Sequence, residues 1–194
     1  MIEAGAELFA HQGYTGTAVK QIVESAGAPF ASMYHFFPDG KQELAAETIR
    51  WSGAIYGQLI DVFFSDGADP IAATRNFFEG AADNVRDSNY ADACPIATVA
   101  LEVASVSEPL RQATAEVFES WLAKIDVHLT GAGLTKTQAR NVSVAVYSLL
   151  EGAFILARAT RDHTHIRVAG RTAADVVAAA FEKRSAQLAG RKRR

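Results

Sequence analysis

Few side chains in this 194-residue sequence have the type and spacing for chemistry. The single cysteine, Cys94, stands beside Pro95, so neither an intrachain disulfide nor a Cys-rich zinc site can form. His163-Thr164-His165 has the spacing of a metal pair, but no third ligand lies near it in sequence. No nucleophile is paired with a base, no glycine-rich loop is spaced to cradle a phosphate, and no pattern calls for a metal or cofactor. An enzyme is therefore not expected. Large aromatics on apolar segments are the more suggestive set. Phe77, Phe78, Trp121, Tyr147 and Phe154 suit the lining of an effector cavity between helices, with the Tyr147 hydroxyl as a polar handle, although aromatics at helical spacing also build plain cores.

The elements that would position these residues are all helical. Apolar residues make up 49% of the chain and charged residues 21%, enough to bury a real core. Proline is absent after Pro109, and nowhere does hydrophobicity alternate with period two, so an all-α fold is expected. Ile2, Ala6 and Phe9 mark a first helix closed by Gly13. Thr17 is spaced to cap a second, short helix that turns Val19, Ile22 and Val23 inward and stops at Gly27. Pro29 fits the first position of a third, ending near His35. Asp39-Gly40-Lys41-Gln42 has capping-box spacing for a long fourth helix, with Leu44, Thr48, Trp51, Ile55, Leu59, Val62 and Phe63 as its apolar positions. Asp69-Pro70 opens a fifth helix, and a shorter one follows Cys94-Pro95 to about Val106. Further helices start after Ser107 and after Thr135-Lys136-Thr137-Gln138, and a last amphipathic segment covers about 172–189. Two short helices joined by a glycine turn, with a third across them, form the helix-turn-helix plan: the second helix of the pair enters the DNA major groove while the first meets the phosphate backbone.

Charge does not announce a nucleic-acid partner. The net charge is −3, and the first fifty residues carry Lys20, Lys41 and Arg50 against six carboxylates. A basic tail, Arg191–Arg194, reads as a disordered end. The N-terminus shows no basic region followed by an apolar run, so no secretory signal is expected. The greasiest stretch, Val142 to Ala157, includes Glu151 and Gly152 and falls short of the roughly 20 apolar residues of a bilayer span. A cytoplasmic chain with no membrane partner is expected. The helix from about 138 to 161 is apolar nearly all round and calls for two buried faces; a partner subunit would supply one, with the 172–189 segment beside it, so a homodimer is expected.

Specific residues sharpen the plan. Ala6-Glu7-Leu8-Phe9, Gly13-Tyr14, Thr17, Val19, Ile22, Ala26-Gly27-Ala28, Met33-Tyr34-His35-Phe36-Phe37 and Lys41-Gln42-Glu43-Leu44 together resemble the TetR family of bacterial transcriptional regulators. Phe37-Pro38-Asp39-Gly40-Lys41 is similar to a subgroup of drug-resistance repressors with an extra glycine before the lysine, and Cys94-Pro95-Ile96 with Leu101-Glu102 is similar to that subgroup's ligand-binding domain. The resemblance implies a helix-turn-helix DNA-binding domain over 1–44 and a helical effector-binding and dimerisation domain over 45–190. Thr17 would cap helix two against a phosphate; Pro29, Phe30, Ala31 and Ser32 would face the bases; Tyr34, His35 and Lys41 would hold phosphates of a double-stranded operator. Phe36 is expected in the three-helix core. Two departures stand out. Members usually carry a basic arm before the first helix, and the subgroup has a polar or basic residue and then glycine where Phe30 and Ala31 stand here. Phe30 cannot make arginine's paired hydrogen bonds to guanine but can touch a thymine methyl. The implied function is a repressor released from a palindromic operator by a small apolar effector. The alternative is a small-molecule binding protein of the same fold that has lost DNA binding.

Overall fold

The computed structural model describes residues 1–65, 67–92 and 94–191. Among them are nine α helices and no strand: α1 (Ile2–Gly16), α2 (Val19–Ser25), α3 (Phe30–Phe36), α4 (Lys41–Phe63), α5 (Pro70–Asp87), α6 (Pro95–Val103), α7 (Glu108–Gly131), α8 (Lys136–Thr160) and α9 (Thr164–Arg191). The all-α expectation holds. Of the predicted basic tail, Arg191 is the last residue of α9 and 192–194 lie outside the described residues.

Local chemistry sets most boundaries. The Asp69 carboxylate accepts from the Ala72 N–H at 3.0 Å, and Pro70 occupies the first helical position of α5. Thr135 and Gln138 form the predicted capping box of α8. Gly27, at φ 61°, ends α2 in the left-handed conformation and lets the Ala28 N–H reach the Val23 carbonyl. At α4 the capping differs from the expected box. It is the Glu43 carboxylate that accepts from the Asp39 N–H, while Gln42 donates to the Ser107 hydroxyl. Helix α6 stops at Val103 rather than Val106, because the Val106 and Ser107 N–H groups both turn back to the Val103 carbonyl.

The chain forms two compact units: residues 1–56 with 91–120, and residues 57–90 with those from 121 onward. In the first, α1 packs against α2 and α6, and α2 against α3. Phe9, Ile22, Met33, Leu44 and Ile49 are buried there. Helix α4 faces inward differently from the predicted stripe. Leu44 and Thr48 are buried, whereas Trp51, Ile55, Leu59 and Val62 are exposed and Ser52 and Gly53 take the inner face. The cause is a close crossing with α7: a Cβ at Gly53 would lie 2.5 Å from both Val117 methyls, so the contact selects small residues that a search for large apolar ones overlooks.

In the second unit α9 packs on α5 and α8. It begins at Thr164, eight residues before the predicted 172, where the Asp162 carboxylate accepts from the Thr164 N–H at 2.9 Å, and Gly170 brings it against the fully buried Phe78. Arg167 then clamps the two helices, its Nε 2.7 Å from Glu79 and its Nη2 2.9 Å from Asp83. Helix α8 is long and apolar enough, by length and composition, to cross a membrane; it buries Val142, Val146, Leu150 and Ala157 within the unit and leaves Val144, Ile155 and Leu156 exposed.

A Cβ at Gly170 would stand 2.5 Å from the Phe78 Cβ and 2.9 Å from its Cγ. Gly170→Ala should therefore cost about 1–3 kcal/mol through overpacking despite the better helix propensity of alanine, read as a lowered midpoint in urea unfolding.

Candidate nucleic-acid interface

Helix α3 is held from behind by two side chains. Met33 is fully buried and Phe37 nearly so, which turns the rest of the helix outward. Phe30 is 51% exposed, Tyr34 54% and Phe36 63%. The expectation that Phe36 plugs the three-helix core is corrected: one residue further on, Phe37 sits on the phase of Met33 and fills that place. Phe30 and Tyr34, one turn apart, pack edge to face with ring centroids 5.9 Å apart. His35 is exposed and its ring lies 5.0 Å from that of Phe36. Ala31 is exposed and Ser32 half-buried. From Gly27 to Pro38 there is no charged side chain at all.

Pro29 adopts an extended conformation and is the N-cap of α3, one position before the helical start expected for it. Thr17 is also corrected. Its side chain is buried and its hydroxyl donates to the Gly13 carbonyl at 2.7 Å, so Ala18 is the N-cap of α2 and the Gln21 side chain accepts from the Ala18 N–H. The Thr17 hydroxyl thereby closes the elbow of α1, where Gly13 at φ 72° breaks the helix.

That elbow is where α6 meets the helix-turn-helix. The Glu102 carboxylate, on α6, accepts from the Thr15 N–H at 2.8 Å. It occupies the space a Cβ at Gly13 would need. Lys41 completes the group: its ammonium donates to the Tyr14 carbonyl at 2.6 Å and lies 4.1 Å from the centre of the Tyr14 ring. Burial pushes the Lys41 pKa below the ordinary lysine value, while the Glu102 carboxylate works against that shift. A cation missed in the sequence reading is Lys20, the one basic side chain on α2. It is 77% exposed and only loosely paired with Glu24 at 3.7 Å. Its signal was simply that no other cation lies on that helix.

The aromatic residues expected to line a cavity belong to the second unit. Trp121 of α7 and Tyr147 of α8 are buried with ring centroids 5.7 Å apart. Phe77 meets Phe78 at 6.3 Å, and also Phe63 at 5.6 Å and Phe64 at 5.9 Å. Phe64 in turn packs against His128 at 5.3 Å. Phe154 is half-buried. Phe64 and His128 were not among the expected residues: Phe64 lies just past the end of α4, and His128, although on the helix face of Trp121 and Ile125, is not an apolar type. His163 of the His-Thr-His pair meets the Tyr90 hydroxyl through Nδ1 at 3.2 Å, and among the described residues no three His, Cys, Asp or Glu side chains gather to hold a metal.

A short, exposed helix on a compact three-helix base, followed by a larger helical body, defines the class of helix-turn-helix regulators. Residues 1–48 match the model of the bacterial regulatory proteins of the tetR family, and residues 70–172 match the LmrA/YxaF-like transcriptional regulator C-terminal domain. The chain belongs to the TetR family. It is 34% identical over 164 residues to the uncharacterised HTH-type transcriptional regulator YxaF of Bacillus subtilis, covering 84% of this chain and 86% of that one. It is 29% identical over 164 residues to the HTH-type transcriptional regulator LmrA of the same organism, covering 84% and 87%. Among solved structures, regulatory protein TetR from Rhodobacter sphaeroides superposes with a TM-score of 0.79 at 23% identity, over 90% of this chain and 95% of that one. Proteins of this family are DNA-binding transcriptional regulators rather than enzymes; they bind operators and are dimers.

The contact at the α1 elbow yields a coupled pair of variants. Gly13→Ala strains a positive-φ residue and collides with Glu102, and should cost about 2–4 kcal/mol of stability. Glu102→Ala alone should cost about 1 kcal/mol for the lost hydrogen bond to Thr15. With the carboxylate gone, the double variant should fall short of their sum by about 1 kcal/mol or more in urea unfolding.

Proposed function

We propose that this chain is a ligand-responsive repressor that binds a palindromic operator as a homodimer and leaves it when a small apolar effector enters the second unit. The observation that carries the DNA-binding part is the outward set of α3: Phe30, Ala31, Tyr34, His35 and Phe36 are all exposed on a helix anchored by only two buried side chains. A globular protein seldom leaves three large aromatics within about two turns facing water without something to cover them. Pro29, Phe30, Ala31 and Ser32 face the bases in this reading. Tyr34, His35 and Lys41 meet phosphates, and Lys20 joins them. Thr17 contributes by fixing the elbow rather than through its hydroxyl, which is already committed to Gly13.

Dimer formation rests on the solvent side of α8 and α9. Val144, Ile155 and Leu156 on α8, with Gly152 among them, and Val168 and Leu188 on α9 are exposed in the single chain. All of these but Val168 fall within the segments expected to pair, and a two-fold contact would bury them. Effector binding is assigned to the cluster of Phe77, Phe78, Trp121, Tyr147 and Phe154, which offers apolar rings and one hydroxyl to a small molecule. Release requires that the effector bind the DNA-free arrangement more tightly than the DNA-bound one. Within the first unit the Glu102 contact ties α6 to the α1 elbow. Such a regulator works in the cytoplasm, where the chromosome is.

The test is a gel-shift titration of the full-length chain against its own promoter at several salt concentrations. Retarded bands at low salt with two chains per duplex are expected. Lys20→Ala should weaken binding to all sequences alike and flatten the slope of log K against log salt by about 2 for the dimer. The absence of any shift at low salt favours the small-molecule binding alternative. Leu156→Glu should leave the fold intact and turn the chain into a monomer by light scattering; a wild-type monomer overturns the dimer.

A further inference from the structure

The exposed face of α3 carries a chemistry unusual for a major-groove surface. Base edges are ordinarily told apart by hydrogen-bonding side chains, above all the donors Arg and Lys and the amides of Asn and Gln, which both donate and accept. None of these occurs between Gly27 and Pro38. Instead the face offers the Phe30 ring, stiffened by its edge-to-face contact with Tyr34, and beside it the Ala31 methyl. Among the base edges that line a major groove, one feature rewards such a surface: the C5 methyl group of thymine, the only apolar projection there. Polar edges facing the Phe30 ring would lose their water and gain no hydrogen bond in return.

We infer that Phe30, backed by Tyr34, reads thymine through its C5 methyl group, so that each operator half-site carries a thymine at one fixed position which the protein recognises by apolar contact. This rests on the DNA-binding reading above and specifies what that interface selects. Tyr34 acts here as a positioning residue for the Phe30 ring, and its own hydroxyl remains directed to solvent or phosphate. The exposure of Phe30 in the unbound chain is then a cost accepted for readout, since the ring is covered only when the groove covers it.

Deoxyuridine supplies the test, because it differs from thymidine by that one methyl and leaves the phosphates and hydrogen-bonding edges unchanged. Full-length protein is used to enrich a duplex from a pool with a randomised core. The enriched duplex is then resynthesised with deoxyuridine at one thymine position at a time. A single position in each half-site should weaken binding about fourfold, or about sixteenfold when both half-sites are changed together. The loss should not vary with salt, since no phosphate contact is altered. Phe30→Ala should bind the two duplexes equally, and Phe30→Leu should keep part of the difference. Because Phe30 is exposed, helical content by circular dichroism should be unchanged in both variants. Equal affinity of the wild-type chain for thymidine and deoxyuridine duplexes would overturn the inference, as would an undiminished penalty in Phe30→Ala. Failure to enrich any sequence at low salt is a different result: it removes the DNA-binding reading itself, and this inference with it.

Discussion

Burial of Met33 and Phe37 is the constraint on which the N-terminal half of the molecule turns. Both belong to the twelve-residue segment from Gly27 to Pro38, which has no Asp, Glu, Lys or Arg to orient it, so apolar packing alone decides which way α3 faces. Once those two side chains enter the core beside Ile22 and Leu44, the helical period leaves Phe30 and Tyr34 no choice but the solvent. The exposed aromatics follow from the anchoring, and the interface follows from the exposed aromatics. A helix of seven residues has little stability of its own, so the same packing that aims it also makes it exist.

Around this base the α1 elbow joins backbone strain to electrostatics. Gly13 takes a conformation that other residues resist, Thr17 ties its carbonyl, Glu102 fills the space left by the missing side chain, and Lys41 caps Tyr14 from the far side. Three of these four come from the N-terminal helices, and the fourth from α6. A displacement of α6 that withdrew the Glu102 carboxylate would free the Thr15 N–H and loosen the support of α2.

Much of the architecture was legible in the residues. Gly13, Gly27, Pro29, Asp69-Pro70 and the Thr135–Gln138 box act on the backbone within a few residues of themselves, so their structural consequences can be read locally. What escaped reading depends on partners distant in sequence. Gly53 against Val117 and Gly170 against Phe78 set helix phase and helix length through space, and a small residue carries no mark of the large one that it admits. Glu102 similarly lies 87 residues from the amide that it holds. Within the candidate interface the outward position of Phe30 followed from the family resemblance. Phe36 and Phe37 could not be separated by composition, because two adjacent phenylalanines offer the core the same ring at phases 100° apart.

The measurement closest to the central claim is a hydroxyl-radical footprint of the full-length chain on its enriched duplex. If two copies of α3 are presented by a symmetric pair, protection should appear as two equivalent patches about ten base pairs apart, centred on a two-fold axis of the sequence. A single unsymmetrical patch, or protection unaffected when Phe30 and Tyr34 are both replaced by alanine, would contradict the account.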